Sequence, residues 1–389
     1  MESSYPTLLK KMTIVINAII VRSANHPQNS EVTMTIVQTY HTFFEKIMQL
    51  QPHERINRIR VMAWFIAGIL QSRSVHLSQI ARQIPGDAKR LSRTRQLARF
   101  VANKHVRVRP WYEPIVRNLL ARAVRQQKPI RLIIDCSKVG SGHQLCMVAL
   151  AYRRRALPLV WTWLKAKKGH SSGRKQLALL AYLQQFLPAE TEVIVIGDSE
   201  FTPVQATLEQ WGWYYVLRQK GSHQIRRSST DQWQRCDSLV TKSGQKCWLL
   251  AVQLTTKFEH PCNFLAIWSK GEVRPWLLAT NLPSAYLTRL HYSRRMWIEE
   301  MFGDFKANGF DLEKTRLRHF QRLSRLTLVV ALIYIWLVAF GSKGIKVNQR
   351  HLVDRNDRRD LSIFRIGMDL FDRFIVNVQS ISIPTVPYF

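Results

Sequence analysis

The chain has 389 residues, 46% of them apolar, and carries 58 Lys and Arg against 26 Asp and Glu, a formal charge of +32. The apolar share excludes a disordered chain, and the length allows two or three domains around a substantial core. Charge this unbalanced repels itself in a compact state unless a polyanion is near, which points to nucleic acid, while the length and the 12 tryptophans argue against a ribosomal protein.

The first 20 residues lack the basic, apolar, small-residue order of a signal peptide. Residues 1–128 read as helical, with apolar residues at three-and-four spacing through 33–50 and 55–70. Within them, 76–103 reads as two short helices around a Pro85-Gly86 break. The second is basic, carrying Lys89, Arg90, Arg93, Arg95 and Arg99, as in a helix-turn-helix. A basic helix that only coats a surface has the same pattern.

At Pro129 the pattern changes. Apolar runs at 130–137, 143–152 and 156–164 predict three strands joined by short turns. Residues 172–187 have helical period with Ser172 as candidate N-cap, 192–201 predict a fourth strand ending on Asp198, Pro203 suits the start of a helix, and 213–218 predict a fifth strand. This order matches an RNase H-like fold, in which the first and fourth strands are neighbours, so Asp135 and Asp198 are expected side by side at one sheet edge. Strand-like runs then fill 222–284, including 236–242, and predict an all-β insertion. Helical period resumes at 285–308, 319–341 and 359–376. The apolar run Leu326–Gly341 is shorter than the ~20 residues of a membrane span and is expected to be a buried core helix. Five cysteines, at 136, 146, 236, 247 and 262, have neither zinc spacing nor a C-x-x-C pair and are expected to be reduced thiols of a cytosolic protein.

In so basic a chain, isolated carboxylates at strand ends suggest metal ligands. Two-metal phosphoryl transfer needs carboxylates that hold two cations ~3.5–4 Å apart. Asp135 and Asp198 supply two, and a helix beside the sheet should supply a third. On a continuous helix through 292–306, Tyr292, Arg295, Glu299 and Lys306 fall within an arc of about 60°, beside an apolar stripe of Ile298, Met301, Phe302 and Phe305. Glu299 is then the third acid, and Glu300 points ~100° away. By itself, Arg295–Glu299 is equally an ordinary surface ion pair. The basic loop 165–175, with Lys168, Arg174 and Lys175, is either a phosphate track or a solvated charge run.

The spacing Y-x-x-R-x-x-x-E-x-x-x-x-x-x-K, complete at Tyr292, Arg295, Glu299 and Lys306, resembles the signature of bacterial insertion-sequence transposases of the DDE class, the insertion sequence 4 family. LIIDCSKVG around Asp135, GDSEF around Asp198, and 155–169 also resemble that family, over roughly residues 85–376. The resemblance implies a cut-and-paste enzyme that nicks transposon inverted ends and joins their 3′-hydroxyls to target DNA. It further implies catalytic, metal-ligating Asp135, Asp198 and Glu299, two Mg2+ ions with Mn2+ as substitute, and phosphate binding by Tyr292, Arg295 and Lys306. Relatives pass through a hairpin and flip a base, for which Trp276 and Trp268 are candidate acceptors; core packing is the simpler role for either. Arg95 and Arg99 are further candidate DNA contacts.

The expected organisation is α/β: a helical DNA-binding region over 1–128, an RNase H-like core over 129–221, a β-rich insertion over 222–284, the core's helical part over 285–345 and a helical tail over 346–389. Double-stranded DNA is the expected partner, with a homodimer joining two ends, no membrane, and a cytoplasmic, nucleoid-associated location in a bacterium. A catalytically silent DNA-binding derivative and a stand-alone RNase H-like nuclease are the competing readings.

Overall fold

A computed structural model describes residues 27–140, 142–165, 171–255 and 261–389, with side chains from residue 35 onward. The described chain divides into two compact units, one of residues up to 114 with 305–388, and one of residues 115–304 with Phe389. Residues 305–345 thus group with the N-terminal helices and not with the sheet.

The first unit is helical. In chain order it holds α1 (Pro27–Leu50), α2 (Ile56–Ser72), α3 (Leu77–Gln83) and α4 (Arg90–Ala102). α5 (Val108–Val124) leads out of it. α3 and α4 are the two short helices expected around Pro85-Gly86. Gly86 takes φ +106, a conformation glycine tolerates best, and Arg93 Nη2 donates to Pro85 O at 3.1 Å to hold the turn.

The second unit is built on a sheet. It contains β1 (Ile130–Val139), β2 (His143–Tyr152), β3 (Arg155–Leu164), α6 (Gly173–Gln184), β4 (Val193–Gly197), α7 (Gln205–Gln210) and β5 (Tyr214–Arg218). β6 (Gln224–Arg226), β7 (Gln234–Arg235), β8 (Lys246–Leu254), β9 (Pro261–Ile267) and β10 (Trp276–Thr280) follow. Then come α8 (Ala285–Tyr292), a 3-10 turn (Ser293–Arg295) and α9 (Met296–Phe305). Among the described residues all ten strands join one sheet, in the order β3-β2-β1-β4-β5-β10-β9-β8-β6-β7. β1 runs antiparallel to β2 and parallel to β4, and β4 runs parallel to β5. This mixed sheet is consistent with the RNase H-like core expected from the sequence. The strands between 222 and 284 extend that sheet, because β10 returns to pair antiparallel with β5. Residues 236–242, read as a strand, instead begin with a 3-10 turn at Cys236–Leu239.

The chain returns to the first unit in α10 (Phe320–Lys346) and α11 (Ile363–Val376). α10 is long and apolar enough to cross a membrane, yet 94% of its most apolar window is buried against protein. An all-round apolar helix of this kind forms the unit's core. Trp336 stacks on Phe43 at 5.4 Å and Tyr334 on Phe364 at 5.1 Å. The α10–α11 crossing is close enough that a Cβ on Gly367 would strike Leu337 O, and one on Gly341 would strike Ile363 O. The five cysteines are free thiols, and Cys136, Cys146, Cys236 and Cys262 are buried.

Candidate active site

β4 is a run of small and branched apolar residues, VIVIG, buried at every position. Its last residue lies between neighbours that leave little room: a Cβ on Gly197 would come within 3.0–3.2 Å of Phe201, Ile134 and Leu217. The parallel ladder between β1 and β4 ends at the pair Ile134↔Gly197. Asp135 and Asp198 are the next residue on each strand, on chains about 4.8 Å apart. β1 itself continues to Val139, paired with β2. Asp135 therefore stands at the end of the parallel ladder, in mid-strand, and not at the strand's own end. Asp198 has extended backbone and turns into a 3-10 segment, its Oδ1 accepting from Ser199 N at 2.7 Å. Asp135 Oδ1 accepts similarly from Cys136 N at 2.7 Å.

Arg295 joins Asp135 to Glu299. Its Nη1 lies 3.4 Å from Asp135 Oδ2 and its Nη2 2.6 Å from Glu299 Oε1. The guanidinium side chain is only 12% exposed, so the pair is not the loose surface contact its i,i+4 spacing alone would permit. Burial pushes the Asp135 carboxyl up to about 7, Glu299 and Asp198 push in the same direction, and Arg295 and the Cys136 N–H oppose them. The three carboxylates thus share one electrostatic neighbourhood. Burial works against the Arg295 charge, but Tyr292, Asp135, Glu299 and Asp198 together hold its pKa above the usual value.

Glu300 turns away to Arg155, 3.4 Å distant, which also binds the buried Asp304 at 2.9 Å. Of the two adjacent glutamates, Glu299 is the one directed at the Asp135 edge.

Tyr292 is buried, and its hydroxyl is pushed up to about 12, chiefly by burial and also by Asp198. Its ring meets Trp276 edge-on at 5.0 Å. Trp276 opens β10, which is antiparallel to β5, so it lies at the sheet end where β1, β4 and β5 finish. Trp268 is held elsewhere, its indole N–H donating to Glu272 O at 2.9 Å. Of the two tryptophans, only Trp276 touches a residue of the signature.

The single helix expected through 292–306 is broken. A 3-10 turn at Ser293–Arg295 separates Tyr292 from α9, and α9 stops at Phe305. The phase that placed Tyr292, Arg295, Glu299 and Lys306 on one face holds only for Arg295 and Glu299. Lys306 lies past the helix in the other compact unit, paired with Glu313 at 3.0 Å. Arg174 and Lys175 are exposed in the first turn of α6, and Arg95 and Arg99 are exposed on α4. Lys168 lies outside the described residues.

Arg218 was not singled out in the sequence. It ends β5, donates to Pro275 O at 3.4 Å, and lies close enough to Tyr292 to favour the ionised phenol. The available signal was its place: it follows the last β4–β5 ladder pair, Gly197↔Leu217, as Asp135 and Asp198 follow the last β1–β4 pair.

The donor set suits hard divalent cations in chemistry, since Glu299 and Asp198 both push the buried Asp135 carboxyl up, a repulsion such a cation relieves. Among the described residues, however, no three acidic, His or Cys side chains are gathered as a metal group, and Glu299 is paired with Arg295.

No curated protein matches the chain. Among solved structures, the piggyBac transposase synaptic complex with hairpin DNA is similar at 10% identity and a TM-score of 0.40, covering 88% of this chain and 78% of that one. A family profile described as "Transposase DDE domain" matches residues 130–336, over half of the chain and spanning Asp135, Asp198 and Glu299. The chain belongs to the DDE-domain transposase family.

Proposed function

We propose that this transposase works by cut-and-paste: it nicks the ends of its own element and transfers the freed 3′-hydroxyls to target DNA. The observation that supports the reading is that Asp135 and Asp198 follow the last pair of one parallel ladder while Arg295 lies 3.4 Å from Asp135 Oδ2 and 2.6 Å from Glu299 Oε1. Asp135, Asp198 and Glu299 would hold two Mg2+ ions, or Mn2+ in their place. Bound there, the ions would activate the attacking oxygen and stabilise the leaving one. Arg295 neutralises the acids when they hold no cation, and Tyr292 and Arg295 grip the terminal phosphates; the signature spacing supports phosphate binding by Lys306 as well. Trp276, against Tyr292, is the better placed acceptor for a flipped base. Double-stranded DNA answers the +32 charge, and a homodimer brings two ends together. The Tyr-Arg-Glu-Lys spacing supports membership of the insertion sequence 4 group, a bacterial origin and a cytoplasmic, nucleoid-associated location.

The test is cleavage of a labelled element-end duplex in Mg2+ or Mn2+. Asp135→Asn, Asp198→Asn and Glu299→Gln are each expected to lose at least about a thousandfold in rate, the equivalent of the several kcal/mol a catalytic cation supplies. Variants that cut like the wild type would refute the assignment. A wild type that binds ends and never cuts would make the protein a silent DNA-binding derivative.

A further inference from the structure

Arg131 lies four residues before Asp135 on β1, hence on the same face and about 13 Å away along the strand. The segment that sends Arg295 to Asp135 also sends His291 and Arg294 to Arg131. Arg131 Nε donates to His291 Nδ1 at 3.1 Å, and Arg294 Nη1 lies 3.4 Å from the same nitrogen. His291 is 4% exposed. With two guanidinium groups directed at Nδ1, that atom must be the acceptor, and the ring is neutral.

Two cations this close repel each other, and each lowers the other's charge stability unless an anion is present. Burial and then Arg294 lower the pKa of Arg131, and only Glu192 works to raise it. Among the described residues neither arginine makes an ion pair. Arg131 Nη1 donates to Pro129 O at 3.2 Å and Arg294 Nη1 to Leu290 O at 2.6 Å. Arg131 Nη2 and Arg294 Nη2 are left without acceptors among the described residues. Two half-buried guanidinium groups, fixed in direction by one neutral imidazole and short of negative charge, suit a group with two anionic oxygens.

We propose that Arg131, Arg294 and His291 form a second phosphate site, which takes a backbone phosphodiester of the bound DNA away from the cleaved bond. The two arginines bind the non-bridging oxygens, and His291 positions them. The inference rests on the reading of the protein as a DNA-cutting transposase. The offset of about 13 Å between Arg131 and Asp135 along β1 sets this phosphate a few nucleotides from the scissile one.

The experiment is methylphosphonate interference, in which one phosphate at a time along the element end is made neutral. Binding is measured for the full-length wild type, Arg131→Gln, Arg294→Gln and the double variant. Wild-type affinity is expected to fall at one or two positions a few nucleotides from the cut. Each single variant should lose that position's sensitivity, keep the others, and show a log-log salt slope smaller by about 1. Arg294→Gln, on a surface turn, decides the matter if Arg131→Gln does not fold. Sensitivity and slope unchanged in Arg294→Gln would overturn the proposal while leaving the transposase reading intact. A wild type that binds no duplex would overturn both.

Discussion

His291 is the residue whose solution behaviour is most sharply set by its neighbours. Burial first, then Arg131 and Arg294, depress its pKa from 6.5 to about 4. The unfolded chain therefore binds the proton more readily than the folded one between these values. The stability His291 contributes is present in full above about pH 6.5 and is lost as pH falls toward 4. Thermal unfolding followed from pH 7 to pH 4 should show wild-type stability falling more steeply than that of His291→Gln, which keeps an acceptor for Arg131 and cannot titrate. Parallel curves would contradict this. Arg218 makes a second claim at this scale. Placed beside Tyr292, it should act on backbone phosphate and read no base. Arg218→Ala is expected to weaken specific and scrambled duplexes by the same factor, with a salt slope lower by about 1 in anisotropy titrations. A loss confined to the specific duplex would assign it to sequence reading.

Elements show what the sequence could and could not reveal. Strand periodicity and the order of elements were enough to place Asp135 and Asp198 as neighbours, because RLIID and VIVIGD are apolar runs that each end on one acid. Helical periodicity overreached at 292–306. The residues have the spacing of a helix face, but nothing in the apolar pattern marks the 3-10 turn at Ser293–Arg295 or the stop at Phe305. Pairing of β10 with β5 was also hidden, since 57 residues separate Arg218 from Trp276 and long-range register leaves no local trace. The helical unit is similar: α10 read as buried, but its partners did not. The α10–α11 crossing depends on glycines that local pattern cannot interpret. Gly367→Ala drives a methyl into Leu337 O, a backbone atom, whereas Gly344→Ala meets only the flexible tip of Leu370. Urea unfolding should show Gly367→Ala losing about 1–3 kcal/mol or more and Gly344→Ala clearly less. Equal losses would mean that α11 shifts to relieve both contacts.

For the molecule as a whole, charge and site make opposite demands. A chain at +32 is built to meet phosphate, yet its candidate active site concentrates three carboxylates where phosphate must come. Divalent cations bound there would reconcile the two, and Arg295 offsets part of the acid charge. That Asp135, Asp198 and Glu299 ligate metal is the central claim, and a change of ligand softness tests it most directly. In Asp198→Cys a thiolate replaces a hard carboxylate, which disfavours Mg2+ and favours softer ions. Single-turnover cleavage of an element-end duplex should be abolished in Mg2+ alone and partly restored when Mn2+ or Zn2+ is added, while Asp198→Ala stays inactive in every metal. Cleavage by Asp198→Cys that is the same in Mg2+ and in the softer ions would contradict the account.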